Sequence, residues 1–288
     1  MKSTALIMSD WSINRMLVGE MTQTSRIRGL EAVNAEPDKW NFDMMEINPL
    51  PLDSHSVAPK GFFAVFGEKE SQLGALADGW VFVKCPWRVG DEIWVKGAWR
   101  IGGFCQNGNL YKIEIIYKAD GAYRWVYVSP EIFESLKMAY KNSQWRSPLL
   151  MPRLAARPEL FRTITGIEVQ RVQDISEEDA KAEGVILGSS AMGHVFTGRE
   201  HYRALWNSLH AKPKSVRRNS KWGRMLGYGQ RETNETFEEW NADKRQIATY
   251  ISFPFAEEDG DHRDEIQGKP HFRCVNPWVW LLKFRKEY

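Results

Sequence analysis

Six basic side chains and one tryptophan fall together at Lys212, Lys214, Arg217, Arg218, Lys221, Trp222 and Arg224. Ammonium and guanidinium groups neutralise phosphates and release their counterions, and an indole can stack on a base. This spacing therefore suits contact with nucleic acid, and Ser215, Ser220 and Gly223 would let the segment conform to a ligand. A solvated insertion without a ligand would carry the same residues. No Asp or Glu occurs from His201 to Arg231, whereas acidic stretches follow at 232–243 and 257–265. Such separation can create a basic surface on a chain whose formal net charge is only +2. Arg153 and Arg157 form a second basic pair behind Pro152. Proline-fixed backbone there could hold guanidinium groups toward a phosphate or, equally, toward an internal carboxylate.

The other chemistry-bearing residues are dispersed. His55, His194, His201, His210, His262 and His271 show neither H-x-x-x-H nor H-E-x-x-H spacing, so no metal site is expected. Cys85, Cys105 and Cys274 lack a C-x-x-C pair, which argues against a zinc site or a disulfide framework. There is no P-loop and no G-x-G-x-x-G, and Gly188 to Ser190 lacks the G-x-S-x-G of a nucleophile elbow. No cofactor is implied. At 288 residues the chain can bury one sizeable core or two smaller ones. Its thirteen tryptophans are the unusual element; they read as core packing, with one or two free to line a base-stacking pocket. No run approaches the ~20 apolar residues of a membrane span and none marks a signal peptide, so a reduced, cytoplasmic setting with no membrane partner is expected.

The stretch Gly19-Glu20-Met21-Thr22-Gln23-Thr24-Ser25-Arg26 follows an apolar-periodic helix (Ile13, Met16, Leu17) that Gly19 is expected to stop. It resembles the G-x-K-x-x-T-x-R signature of the ASCH family, a small barrel related to PUA and other RNA-binding or modified-base-reading domains. Gly90-Asp91-Glu92-Ile93-Trp94-Val95 is similar to that family's G-D-x-[IL]-x-V turn and strand, and Ile175 to Gly184 is similar to its helix. The resemblance is nearest to a larger phage- and prophage-borne type, through Thr22 to Arg26, Trp145 to Arg153, Gln173 to Gly184, Leu205-Trp206 and Asn276 to Trp280.

What the family implies is hydrolysis of the amide of N4-acetylcytidine by a lysine, a threonine and a glutamate. Carried over residue by residue, Thr24 is the nucleophile and Glu183 assists proton transfer, while Met21 stands where the lysine would be. A threonine hydroxyl needs a nearby base or cation to become a nucleophile, and a thioether offers neither proton nor charge. Loss of a positioned base costs a factor of ~10²–10⁴ in rate. Lys96 is the nearest candidate substitute on the strand after Gly90. Plainer roles stay open: Thr24 as a turn or cap hydroxyl, Glu183 as a solvated carboxylate, Arg26 on backbone carbonyls, Met21 as a core filler.

These residues must be held by a modest set of elements. Strands are expected at Thr4 to Met8, Gly79 to Cys85, Glu92 to Trp99, Phe161 to Val172 and within Asn276 to Phe284. A hairpin is expected from Leu110 to Tyr117 and Tyr123 to Val128 around Asp120-Gly121. Helices are expected at Pro130 to Lys141, at Asp174 to Glu183 with Ser176 as N-cap, and at His201 to Leu209. Arg28 to Pro59 reads as an irregular excursion, and Trp145 to Arg153 as a proline-bounded connector. The expectation is an α+β, PUA-like (ASCH) mixed β-barrel with flanking helices, forming one domain over 1–288 with insertions near 28–78, 103–145, 185–200 and 211–272. Three functions follow. The first is binding of nucleic acid, RNA before DNA, or of a modified nucleoside, through Arg26, Lys96, Arg153, Arg157 and the 212–224 cations with Trp222. The second is an N4-acetylcytidine amidohydrolase-like hydrolase using Thr24 and Glu183. The third is a phage accessory protein that captures a host protein.

Overall fold

The computed structural model describes residues 2–48, 61–69, 79–138, 144–185, 196–231 and 234–286. Most of the 185–200 insertion, including Gly188 to Ser190, and the prolines at 49, 51 and 59 lie outside the described residues.

The chain starts with β1 (Ser3–Ile7), α1 (Asp10–Leu17), β2 (Gln23–Arg26), α2 (Glu31–Asn34), β3 (Trp40–Ile47), β4 (Phe62–Glu68), β5 (Trp80–Lys84) and β6 (Glu92–Lys96). There follow β7 (Trp99–Asn107), β8 (Leu110–Tyr117), β9 (Tyr123–Val128), α3 (Pro130–Met138), β10 (Phe161–Arg171), α4 (Glu177–Ala182) and α5 (Gly198–His210). The remainder is β11 (Lys214–Arg217), α6 (Lys221–Met225), α7 (Phe237–Asp243), β12 (Ile247–Ser252), β13 (Glu265–Ile266), β14 (Lys269–Arg273) and β15 (Trp278–Lys286). The strands form a five-stranded sheet in the order β1-β6-β10-β15-β2, a four-stranded sheet β11-β12-β14-β13, and three-stranded sheets β3-β4-β5 and β7-β8-β9. The fold is α+β, and among the described residues no sheet closes into a barrel.

Capping chemistry sets the helices that matter for the site. The Ser176 hydroxyl accepts the Asp179 N–H at 3.0 Å and starts α4, whose first turn carries Glu177, Glu178 and Asp179. Gly184, at φ +86°, takes the left-handed position just past the Glu183 C-cap. Replacing Ser176 by Ala is therefore expected to lower stability by about 1 kcal/mol, measured by urea unfolding. A capping box of Thr197 and Glu200 opens α5.

Two expectations need correction. The strand foreseen from Glu92 to Trp99 is two strands, broken at Gly97 and Ala98. A Cβ at Gly97 would stand 2.5 Å from the terminal methyl of Ile13, so that side chain would have to shift to admit it. The excursion at Arg28 to Pro59 contains α2 and the strand β3, which pairs antiparallel with β4. In the described part of that stretch, 28–48, Leu30 and Val33 are wholly buried and anchor the chain.

The backbone divides into two compact units. One comprises Met1–Gln23, Val89–Gly166 and Lys283–Tyr288. Its core gathers Trp99, Ile101, Ile113, Ile115, Tyr117, Val126 and Phe133 beneath the inner face of the β7-β8-β9 sheet. The hairpin of β8 and β9 has the foreseen register, with Ile116 opposite Tyr123 and Tyr111 opposite Val128. The other unit comprises Thr24–Arg88 and Ile167–Leu282. Here Asn34, fully buried, grips Trp278 at both backbone groups: its Oδ1 accepts the N–H at 2.7 Å and its Nδ2 donates to the carbonyl at 2.9 Å. The ring of Trp278 meets Phe66 edge-on at 5.1 Å.

Candidate functional site

Within the second unit, three elements bring polar side chains into an apolar interior. Ser25 and Arg26 come from β2, Glu183 closes α4, and Tyr202, Trp206 and His210 project from α5 at helical spacing. Ser25 Oγ donates to Glu183 Oε1 at 2.6 Å and accepts from the Tyr202 hydroxyl at 2.9 Å. Ser25, Glu183 and Tyr202 are all buried. The result is a linear relay, phenol to hydroxyl to carboxyl.

Its electrostatics follow from that burial. Desolvation pushes the Glu183 carboxyl up to about 7, against the pull of the Ser25 hydroxyl, the Arg26 charge and the Ser25 N–H. Burial also holds the Tyr202 phenol well above its ordinary value, with the Glu183 charge adding to it. The Arg26 guanidinium is shifted down by desolvation, opposed by Glu183 and Tyr202. Arg26 Nε is sealed from solvent and has no hydrogen-bond partner among the described residues. His210 stacks on Trp206 with ring centroids 4.2 Å apart, and the Trp206 Nε1 is fixed by donating to the Phe253 carbonyl at 2.8 Å. Desolvation, with Lys214 and Arg26 adding repulsion, lowers His210 to about 3, so the ring is neutral.

The residues read from the sequence divide clearly. Glu183 is no solvated helix-end carboxylate; it is buried, and the hydroxyl it receives is that of Ser25, the residue after Thr24. Thr24 is buried too, but strand alternation sends it to the opposite face from Ser25. Met21 is a buried side chain of the first unit. Ser25 and Tyr202 were missed as polar partners. Ser25 lay inside the quoted motif, and Tyr202 was visible only as part of the apolar stripe of α5.

The basic segment is also corrected. Residues 212–224 are not a loose loop: β11 pairs antiparallel with β12, and Ser220 caps α6. Arg218 is taken up internally, its Nη1 lying 3.0 Å from Glu235 and 2.7 Å from Asp243 while the guanidinium stands 4.7 Å over the Trp240 ring. Lys221 pairs with Glu31 at 2.5 Å, and Trp222 packs on Phe253 with centroids 5.4 Å apart. Arg224 is exposed but donates to the Asn219 carbonyl at 2.7 Å. Lys212, Lys214 and Arg217 are exposed, and partial desolvation lowers the Lys214 ammonium from its ordinary value.

In the first unit, the pair behind Pro152 meets carboxylates. Arg157 is bound to Asp120 at 2.6 Å and Glu159 at 2.7 Å, and Arg153 to Glu92 at 2.7 Å. Lys96 Nζ donates to the Leu149 carbonyl at 3.0 Å and lies 5.3 Å over the Trp94 ring. Among the described residues no cluster of three His, Cys, Asp or Glu could hold a metal, and no helix is long and apolar enough to cross a membrane. Comparison of the chain with family models, with curated proteins and with solved structures found no match.

Proposed function

We propose that this chain is an ASCH-like protein of phage or prophage type, built on a PUA-like plan, that binds nucleic acid or a modified nucleotide in a cytoplasmic setting, RNA in preference to DNA. The observation that carries this reading is the pair of exposed cations Lys212 and Arg217, on the unit that also holds the Ser25–Glu183–Tyr202 relay. Exposed ammonium and guanidinium groups can neutralise phosphates and release their counterions. Met21 at the family's lysine position favours binding over catalysis.

The test is binding to labelled single- and double-stranded RNA and DNA across a salt series. Single-stranded RNA is expected to bind best, with affinity falling steeply as salt rises. Lys212→Ala with Arg217→Ala is expected to reduce the log–log salt slope on single strands by about 1.4, at ~0.7 per phosphate contact. No binding at low salt would overturn the reading and turn attention to a host-protein partner.

A second reading has one observation of its own. A hydroxyl 2.6 Å from a carboxyl poised at about 7 is a nucleophile paired with a base. In hydrolysis of an N4-acylated cytidine, Glu183 would take the Ser25 proton as Oγ attacks the acyl carbon and pass it to N4 as the C–N4 bond breaks and cytidine leaves. Water, giving its proton to Glu183, would then attack the Ser25 ester, releasing the carboxylic acid as that proton returns to Oγ. Turnover abolished in Ser25→Ala and kept in Thr24→Ala would favour this route; turnover lost only in Thr24→Ala would restore the threonine.

A further inference from the structure

The outer face of the β7-β8-β9 sheet carries a feature that the site in the second unit does not use. Along β9 the burial alternates strictly: Val126 enters the core, while Tyr123, Trp125 and Tyr127 are 66%, 41% and 62% exposed. Three successive outward positions of one strand are thus aromatic. Opposite them on β8 stand Ile116, Glu114 and Lys112. On β7 the corresponding partners are Arg100, Gly103 and Cys105. Glycine matters in the middle of this row, because a Cβ at Gly103 would stand 3.7 Å from the far end of the Trp125 indole. A Cβ at Gly102 would run into Glu114 Oε2, so this carboxylate lies down against glycine backbone. The indole therefore spreads across the sheet as a platform.

Cations stand at both ends of the aromatic row. Lys112 Nζ lies 4.5 Å over the Tyr127 ring. Beyond Ile116, Arg100 stacks on the partly exposed Trp145 ring at 4.9 Å. We propose that this face is a second ligand surface, on which a single-stranded nucleic acid stacks its bases on Tyr123, Trp125 and Tyr127 while Lys112 and Arg100 meet its phosphates. Alternate residues of a strand are roughly 6.6 Å apart, about twice the ~3.4 Å step of stacked bases. A strand opened to that spacing can lay one base on each ring, whereas a duplex keeps its bases stacked on one another. The two positive ends around an apolar, π-rich centre match a polyanion whose bases are free.

The surface lies in the first unit, so it is testable apart from Lys212 and Arg217 in the second. Full-length protein is titrated with fluorescein-labelled deca-uridylate and deca-thymidylate, followed by anisotropy. Trp125→Ala is expected to weaken binding about tenfold or more, the range of one lost base–ring stack, and Trp125→Phe to restore most of it. Tyr127→Ala and Tyr123→Ala, at more exposed positions, serve as further variants if Trp125→Ala does not fold. Cys105 supplies an independent readout: it is the exposed cysteine, on the rung of Lys112 and Tyr127, while Cys85 and Cys274 are buried. Its alkylation is expected to slow when the oligonucleotide is bound. Unchanged affinity in all three aromatic variants, with Cys105 unprotected, overturns the proposal. If in that case Lys212→Ala/Arg217→Ala still weakens binding, the reading of the second unit stands alone. Reduced self-association in the aromatic variants with unchanged oligonucleotide affinity would make the face a protein contact, and would also overturn it. No oligonucleotide binding by the unaltered chain sinks both.

Discussion

Replacing Glu183 by Gln is expected to remove a fall in stability of about 3 kcal/mol that the unaltered protein suffers as pH rises from 4.5 to about 7. The sign follows from the direction of the shift. The folded state holds the Glu183 proton more tightly than the unfolded chain does, so proton binding favours folding. That contribution is complete below the unfolded value of 4.5 and is lost as pH rises through the folded value of about 7. Glutamine can still accept from the Ser25 hydroxyl and N–H, and it carries no charge to desolvate. His210 works in the opposite sense. Its value drops from 6.5 to about 3 on folding, so its stabilising contribution is present above pH 6.5 and lost as pH falls toward 3. The two slopes oppose each other between pH 4.5 and 6.5. The measurement is therefore the difference in unfolding free energy between the unaltered protein and Glu183→Gln, by urea titration at pH 4.5, 6 and 8. A difference that does not change across that range would remove the buried, proton-holding carboxyl from the account of the site.

Arg162→Met is expected to cost about 3–5 kcal/mol, the effect of removing three buried hydrogen bonds from a charged donor. Arg162 is almost wholly buried, and backbone carbonyls hold its guanidinium. Its Nη1 donates to the carbonyls of Glu159 and Phe161 at 2.7 and 2.8 Å, and its Nη2 donates to that of Met16 at 2.9 Å. The last of these ties β10 to the C-terminal turn of α1, where orphan carbonyls gather and a cation is favoured. Desolvation lowers the Arg162 guanidinium from its ordinary value, so its charge is retained at a cost that the three carbonyls offset. Urea unfolding measures the loss. Arg162→Lys, with a single ammonium and no planar fork, is expected to recover only part of it. A change below 1 kcal/mol would show that water replaces the guanidinium at these carbonyls.

Much of the local structure was legible from residue types. Ser176 announces α4, because a hydroxyl before an acidic first turn satisfies backbone N–H groups with no help from the rest of the chain. Gly19 and Gly184 mark the ends of α1 and α4 for the same local reason. The β8–β9 hairpin was legible because its turn residues and its alternation agree. Gly97 was not legible as a break. The close approach there is made by the end of the Ile13 side chain, far away in sequence. Nor could sequence show α2 and β3 in the stretch after Arg28, because what anchors the described part is the burial of Leu30 and Val33 against the rest of the fold.

The residue types by themselves determined the α+β character, the positions of about half of the helices and strands, the absence of metal-ligand spacing, and a motif that contains Thr24 and Arg26 and points to Glu183. Only the tertiary structure decided which of these groups meet. It set Ser25 rather than Thr24 against Glu183, since neighbouring strand residues face opposite ways and the position of α4 selects one of them. It gave Arg218 and Arg157 to internal carboxylates that lie 17 and 37 residues away in sequence. A charge has the same sign wherever it sits in the sequence. Whether it faces a phosphate, a carboxylate or water depends on what the fold packs beside it.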